Sequence, residues 1–123
     1  METCVEVVTI NGQQYVKADT VQQKATKLDG MEYVIIRTYS AGVHVGYLAS
    51  RNQKEVVLHQ AIRLHFWDGA ASLSQLAMEG VKKPQNCRFS IPVEEITLTE
   101  AIEVIPCTEK ARANIQGVKP WKM

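Results

Sequence analysis

Residues 55–67, EVVLHQAIRLHFW, carry the clearest two-residue alternation in the chain. The even positions Leu58, Ile62, Leu64 and Phe66 are apolar, with Gln60 as the exception, and the odd positions are His59, Ala61, Arg63, His65 and Trp67. Successive side chains of a strand point to opposite faces. The even set is therefore expected to enter the core and the odd set to face elsewhere.

Working outward, residues 31–39, MEYVIIRTY, form a β-branched and aromatic run. It is broken at Ser40, Ala41 and Gly42 and resumed by VHVGYLA, which reads as two antiparallel strands and a short turn. A further turn falls over Arg51–Lys54. Downstream of Trp67, Asp68 and Gly69 end the long strand. Ser72 with Gln75 has capping-box spacing, Leu73, Leu76 and Ala77 supply an apolar helix face, and Gly80 suits its end. Cys87, Phe89 and Ile91 alternate into a short strand. VEEITLTEAIEVI reads as one more alternating run, with Ile96, Leu98, Ile102 and Val104 sharing a parity. Thr108 is placed to cap a last helix, EKARANIQ, closed by Gly117.

At the other end, Asn11 and Gly12 between two weakly alternating runs signal a hairpin. Asp19 with Gln22, then Val21, Ala25 and Leu28 at helical spacing, predict a short helix stopped by Asp29 and Gly30. The fold class expected is α+β: a small, mostly antiparallel sheet, roll or barrel, with about three short helices. Residues 1–30 read as an N-terminal hairpin-helix accessory segment and 31–123 as the main β-rich domain. Sheet edges in so small a domain need pairing or cover, which predicts a homo-oligomer.

At 46% hydrophobic, 22% charged and a net charge of +1, the composition is that of an ordinary globular domain. It supplies no field that favours nucleic acid or an acidic membrane surface. No apolar run reaches the ~20 residues needed to span a bilayer, and the start lacks a signal-peptide pattern. Cys4, Cys87 and Cys107 are odd in number with no C-x-x-C pair, as expected for reduced thiols in the cytoplasm.

Catalytic and metal-binding patterns are absent. His59 and His65 are six apart on one strand, roughly 20 Å, too far to share an ion. His44 adds no close metal spacing. There is no G-x-S-x-G elbow and no phosphate-binding glycine loop. Glu94 and Glu95 are adjacent, so on a strand they face opposite ways. No catalytic residue, metal or cofactor is therefore expected. An enzyme reading rests only on His65 and Asp68 sharing a pocket.

What remains is a constellation. Tyr33, Ile35, Arg37 and Tyr39 share one parity, and His59, Arg63, His65 and Trp67 another. Arginines hold anions through paired donors, and aromatic rings stack planar groups. After Trp67, GAASLSQL brings small residues to a helix start, where free N–H groups favour an anion. The candidate ligand site is Arg37, Tyr39, Arg63, His65, Trp67, Gly69, Ala70 and Ser72. Trp67 or Tyr39 would stack a base, and the arginines and the Ser72 turn would hold phosphate.

The segments RTYSAGVHVGYLASR, RLHFWDGAASLSQLAMEGVKKPQNCRF and EEITLTEAIEVIPCTEKA resemble a family of small proteins encoded by bacteriophages and prophages. The resemblance covers about residues 31–121, and INGQQYVKADTV looks like an accessory piece carried by some members. It implies a phage setting and no chemistry, and no functional residue is carried over. In that setting the reading that leads is a non-enzymatic accessory protein that sequesters a nucleotide-derived signal of host defence. A module that inhibits a host protein is the alternative, and a nucleic-acid-binding accessory protein, disfavoured by the charge, is the third.

Overall fold

The computed structural model describes residues 23–123 and, before them, the antiparallel strands β1 (Val8–Thr9) and β2 (Gln13–Tyr15). Those two strands bear out the hairpin expected around Asn11 and Gly12. The turn itself, and residues 19–22 of the expected first helix, lie outside the described residues.

The main body is an antiparallel sheet of β3 (Glu32–Thr38), β4 (Val43–Asn52), β5 (Glu55–Phe66), β6 (Arg88–Phe89), β7 (Val93–Leu98) and β8 (Ala101–Pro106). In space the order is β6–β5–β4–β3–β8, and β7 also pairs with β5. β7 takes the first half of β5, with Val56 opposite Leu98, and β6 takes the second, with Leu64 opposite Phe89. The sheet coils so that the β4–β5 turn reaches the start of β8. There the Ala101 N–H donates to the Lys54 carbonyl at 3.0 Å. The sheet does not close into a barrel.

Each face of this sheet is apolar. Tyr33 and Ile35 of β3 and Val45 and Tyr47 of β4 enter one cluster, covered by the helices α1 (Leu73–Glu79) and α2 (Glu109–Gln116). Val34 and Ile36 enter the other, inside the coil of the sheet, with Leu98 and Ala101. β5 serves both. Its Val56, Leu58 and Ala61 belong to the inner cluster, but Ile62 and Leu64 belong to the helix-covered one. The parity switches at Gln60, whose φ of 53° is left-handed. This is a β-bulge, one extra residue that rotates the rest of the strand by half a period.

The partner strand makes room for the bulge. The register runs Val45–Ile62 and then Tyr47–His59, so Gly46 alone faces Gln60 and Ala61. A Cβ on Gly46 would lie 3.0 Å from the His59 carbonyl oxygen and 3.2 Å from the Ala61 Cα. Gln60 is thus a consequence of geometry rather than a polar intruder in an apolar row. The even positions of β5 do not all share the core, as the alternation alone implies, because the strand changes face midway. Phe66 is a further departure. Another irregularity falls between Leu64 and Phe66, and Phe66 is 51% exposed while Trp67 packs on the helix-covered cluster.

The two helices start where their caps predict. The Gln75 N–H donates to Ser72 Oγ at 3.1 Å, and the Ala111 N–H to Thr108 Oγ1 at 3.1 Å. The helix expected to run to Leu28 is not formed over Gln23–Leu28, so the described residues hold two α-helices, not three. The Ala25 N–H donates instead to the Cys107 carbonyl and the Glu109 N–H to the Gln23 carbonyl. Tertiary partners have taken the backbone groups a helix would use. Asp29 and Gly30, at φ 52° and 81°, form a primed hairpin turn between Leu28 and Met31 rather than a helix stop. The run over residues 93–105 is likewise two strands, parted at Thr99 and Glu100.

Urea unfolding checks this assignment. Leu64→Ala is expected to cost about 2–5 kcal/mol as a buried truncation, and His65→Ala and Phe66→Ala well under that. Gly46→Val should cost about 1–3 kcal/mol through overpacking at the bulge. An unchanged midpoint for Gly46→Val contradicts the bulge geometry.

Candidate functional site

After the bulge, β5 points Arg63 and His65 away from the helices. Arg63 lies directly opposite His44 of β4, and directly opposed residues share a face. Together they wall a cleft of about 210 Å3 at the mouth of the inner face, completed by Ala61, Ser90, Ile91, Val93 and Ile96. Apolar side chains share the wall with basic and hydroxylic ones, and no carboxylate lines it.

His44 is the buried member, 1% exposed. The Arg63 Nε–H donates to its Nε2 at 3.0 Å. A guanidinium can only donate, so Nε2 is the bare nitrogen and the ring proton of neutral His44 sits on Nδ1. That donor is buried and has no acceptor among the described residues. Burial first, then the charge of Arg63 and the nearness of His65, pull the His44 pKa down to about 4. Neutral imidazole is the form that fits: an added proton would face Arg63 with nothing to offset it.

Arg63 is fixed at its base as well as at its tip. Its N–H donates to Ser90 Oγ at 2.8 Å, and its carbonyl accepts from the Ser90 N–H at 2.9 Å. The exposed guanidinium pairs with no carboxylate among the described residues. By contrast, Arg37 is bonded to Glu103 at 2.8 Å and Arg112 to Glu109.

The eight residues singled out in the sequence do not converge. Arg63 and His65 stand in the cleft. Arg37 lies opposite Val43, which lies opposite Leu64, and so belongs to the helix-covered face. Tyr39 is 78% exposed on the β3–β4 turn, beside Glu100, whose carbonyl accepts its N–H. Trp67 and Ala70 pack on the helix-covered cluster. Gly69, at φ 100°, is pressed on its own chain, where a Cβ would meet the Lys82 backbone. Ser72 caps Gln75, and the Gln75 side chain accepts from the Ala71 N–H at 2.7 Å. The start of α1 therefore satisfies itself and offers an anion little.

Residues missed in the sequence are His44, Ser90 and Trp121. Trp121, in the tail after α2, is tied to β6 by its N–H, which donates to the Phe89 carbonyl at 2.8 Å. Its indole meets His65 edge-on, centroids 5.4 Å apart, and Arg88 lies 5.5 Å over the ring. His44 had a legible signal. It takes the polar phase of the alternation in VHVGY, and the opposite face of that strand is also buried.

Asp68 lies outside the cleft, its carboxylate held by Asn86 at 2.9 Å, so it makes no pair with His65 there. Burial pushes the Cys107 thiol up to about 12 and raises Cys87 as well, which leaves neither activated as a nucleophile. No group of three metal-ligating side chains occurs among the described residues. None of the described helices is long and apolar enough to cross a membrane.

Fold and cleft together define a small α+β domain with a coiled antiparallel sheet, one face under helices and the other opening on a basic cleft. The chain belongs to the family described as Domain of unknown function (DUF6948), whose model matches residues 31–115. That match takes in His44, Arg63, His65 and Ser90, while Trp121 falls beyond it. No curated protein and no solved structure matches the chain.

His44 also sets a pH dependence. Between its folded value of about 4 and the ordinary value near ~6.5, the unfolded chain holds a proton that the folded chain refuses. Stability is therefore fully present above pH ~6.5 and falls as pH drops toward 4. Urea unfolding should show about 2 kcal/mol lost between pH 7 and pH 5. His44→Gln should lack that portion, and an equal loss in the variant would place the titration elsewhere.

Proposed function

We propose that this protein is a non-enzymatic binding module that captures a small anionic molecule in the cleft over β4 and β5. The reading rests on one observation. Arg63 is held in place by a buried neutral imidazole and by Ser90, in a cleft it shares with apolar side chains, with no counter-charge among the described residues. The exposed guanidinium has spent its Nε–H on His44, and its terminal N–H groups remain to pair with an incoming anion. His65 and the Ser90 hydroxyl stand beside it as further polar partners, and Ile91, Val93 and Ile96 supply the apolar contact. In the bacteriophage setting that the sequence resemblance implies, such capture acts by sequestration rather than turnover.

The test is thermal unfolding against a panel of small anions led by inorganic phosphate, acetate and benzoate. Ligand at a hundred times its Kd stabilises by about 2.7 kcal/mol, so at least one anion should raise Tm by several degrees. Arg63→Gln should abolish the rise. No shift with any anion, or the same shift in the variant, overturns the reading.

A second reading has one observation in its favour. Ile91, Val93 and Phe66 are 48%, 42% and 51% exposed along the β6–β7 side of the sheet. Exposed apolar residues grouped at a rim suit a protein partner, here a host protein inhibited by occlusion. Phe66→Asp, outside the cleft lining, would then abolish binding of that partner and leave inorganic phosphate stabilisation in place.

A further inference from the structure

The cleft is small for the work just proposed. Ordinary small-molecule sites run to about 300–1,000 Å3, and this one is about 210 Å3. It therefore holds the head of a ligand, and the body must lie on what borders it. The border on one side is the Trp121 indole, which touches His65 of the cleft wall. Trp121 is 53% exposed, so much of the indole is open to solvent. It also walls a second hollow of about 390 Å3, with Pro84, Gln85, Lys119 and Pro120. The indole is not a loose tail residue: the Phe89 carbonyl holds its backbone and the Arg88 guanidinium lies over its ring.

We infer that the site takes a nucleoside phosphate, with the phosphate at Arg63 and His65 and the base stacked on Trp121. This rests on the anion-binding reading above and adds the ligand class. Only a ligand with both a compact anionic head and a planar body uses both parts. Base–aromatic stacking tolerates any base, since each has a π-face, so the pocket selects the class and not the base. Arg88, whose guanidinium lies 5.5 Å over the same ring, adds a second positive charge at the stacking site.

Calorimetric titration of the full chain with adenosine 5′-monophosphate and ribose 5-phosphate separates the two layers. Stacking predicts that the nucleotide binds about tenfold tighter than the sugar phosphate. Trp121→Ala should remove that factor and leave ribose 5-phosphate affinity unchanged, whereas Trp121→Phe should keep most of it. Arg63→Gln should weaken both ligands. Equal affinity for the two ligands, or an unaffected nucleotide affinity in Trp121→Ala, overturns the nucleotide inference and leaves anion binding standing. Failure of both ligands, and of inorganic phosphate, to bind overturns both.

Discussion

A single left-handed residue, Gln60 opposite Gly46, decides which side chains each half of β5 delivers to which face. Holding a residue with a Cβ in that region costs about 1–2 kcal/mol. Without it Ile62 and Leu64 would leave the helix-covered core, at about 1.5–3 kcal/mol for each buried side chain. Burial wins, and the bulge stays. Gly46 completes the arrangement because the His59 carbonyl and the Ala61 Cα occupy the place of its missing side chain.

The site follows from the same rotation. The half-period shift that turns Ile62 and Leu64 under the helices turns Arg63 and His65 to the opposite face, across from His44. β4 has its own alternation, and only there does a histidine meet an arginine rather than another apolar residue. Burial keeps that histidine neutral, so it accepts from Arg63 instead of repelling it. The guanidinium is thereby oriented without being neutralised, the condition under which a cation remains available to a ligand. Arg37, paired with Glu103, shows the contrasting arrangement on the other face.

Much of the fold was legible because local signals and tertiary contacts agree. The turn at Gly42, the caps at Ser72 and Thr108, and the β-branched runs all formed as their sequences imply. The misreadings occurred where long-range partners overruled local pattern. Val21, Ala25 and Leu28 have helical spacing, yet Ala25 bonds to Cys107, more than eighty residues away along the chain. Asp29 and Gly30, read as a helix stop, form a hairpin turn instead, closed by the pairing of Leu28 with Met31. Arg63 and His65 share a face as their spacing implies, but the bulge and the irregularity after Leu64 turn His59 and Trp67, of the same parity, to the other one. Arg37, Trp67 and the Gly69–Ser72 turn were grouped with them by residue type, and type carries no information about which face a bulged sheet presents. Trp121 gave no signal, since its place depends on where a tail returns over β6.

The face switch can be read directly in solution. In a methyl-resolved nuclear Overhauser spectrum, Leu58 should contact Leu48 and Ile96 while Ile62 contacts Val45, two sets with no shared member. Cross-peaks that join Leu58 and Ile62 to one common set of core methyls would contradict the switch. Arg63 would then lose its opposition to His44, and the cleft its basic wall.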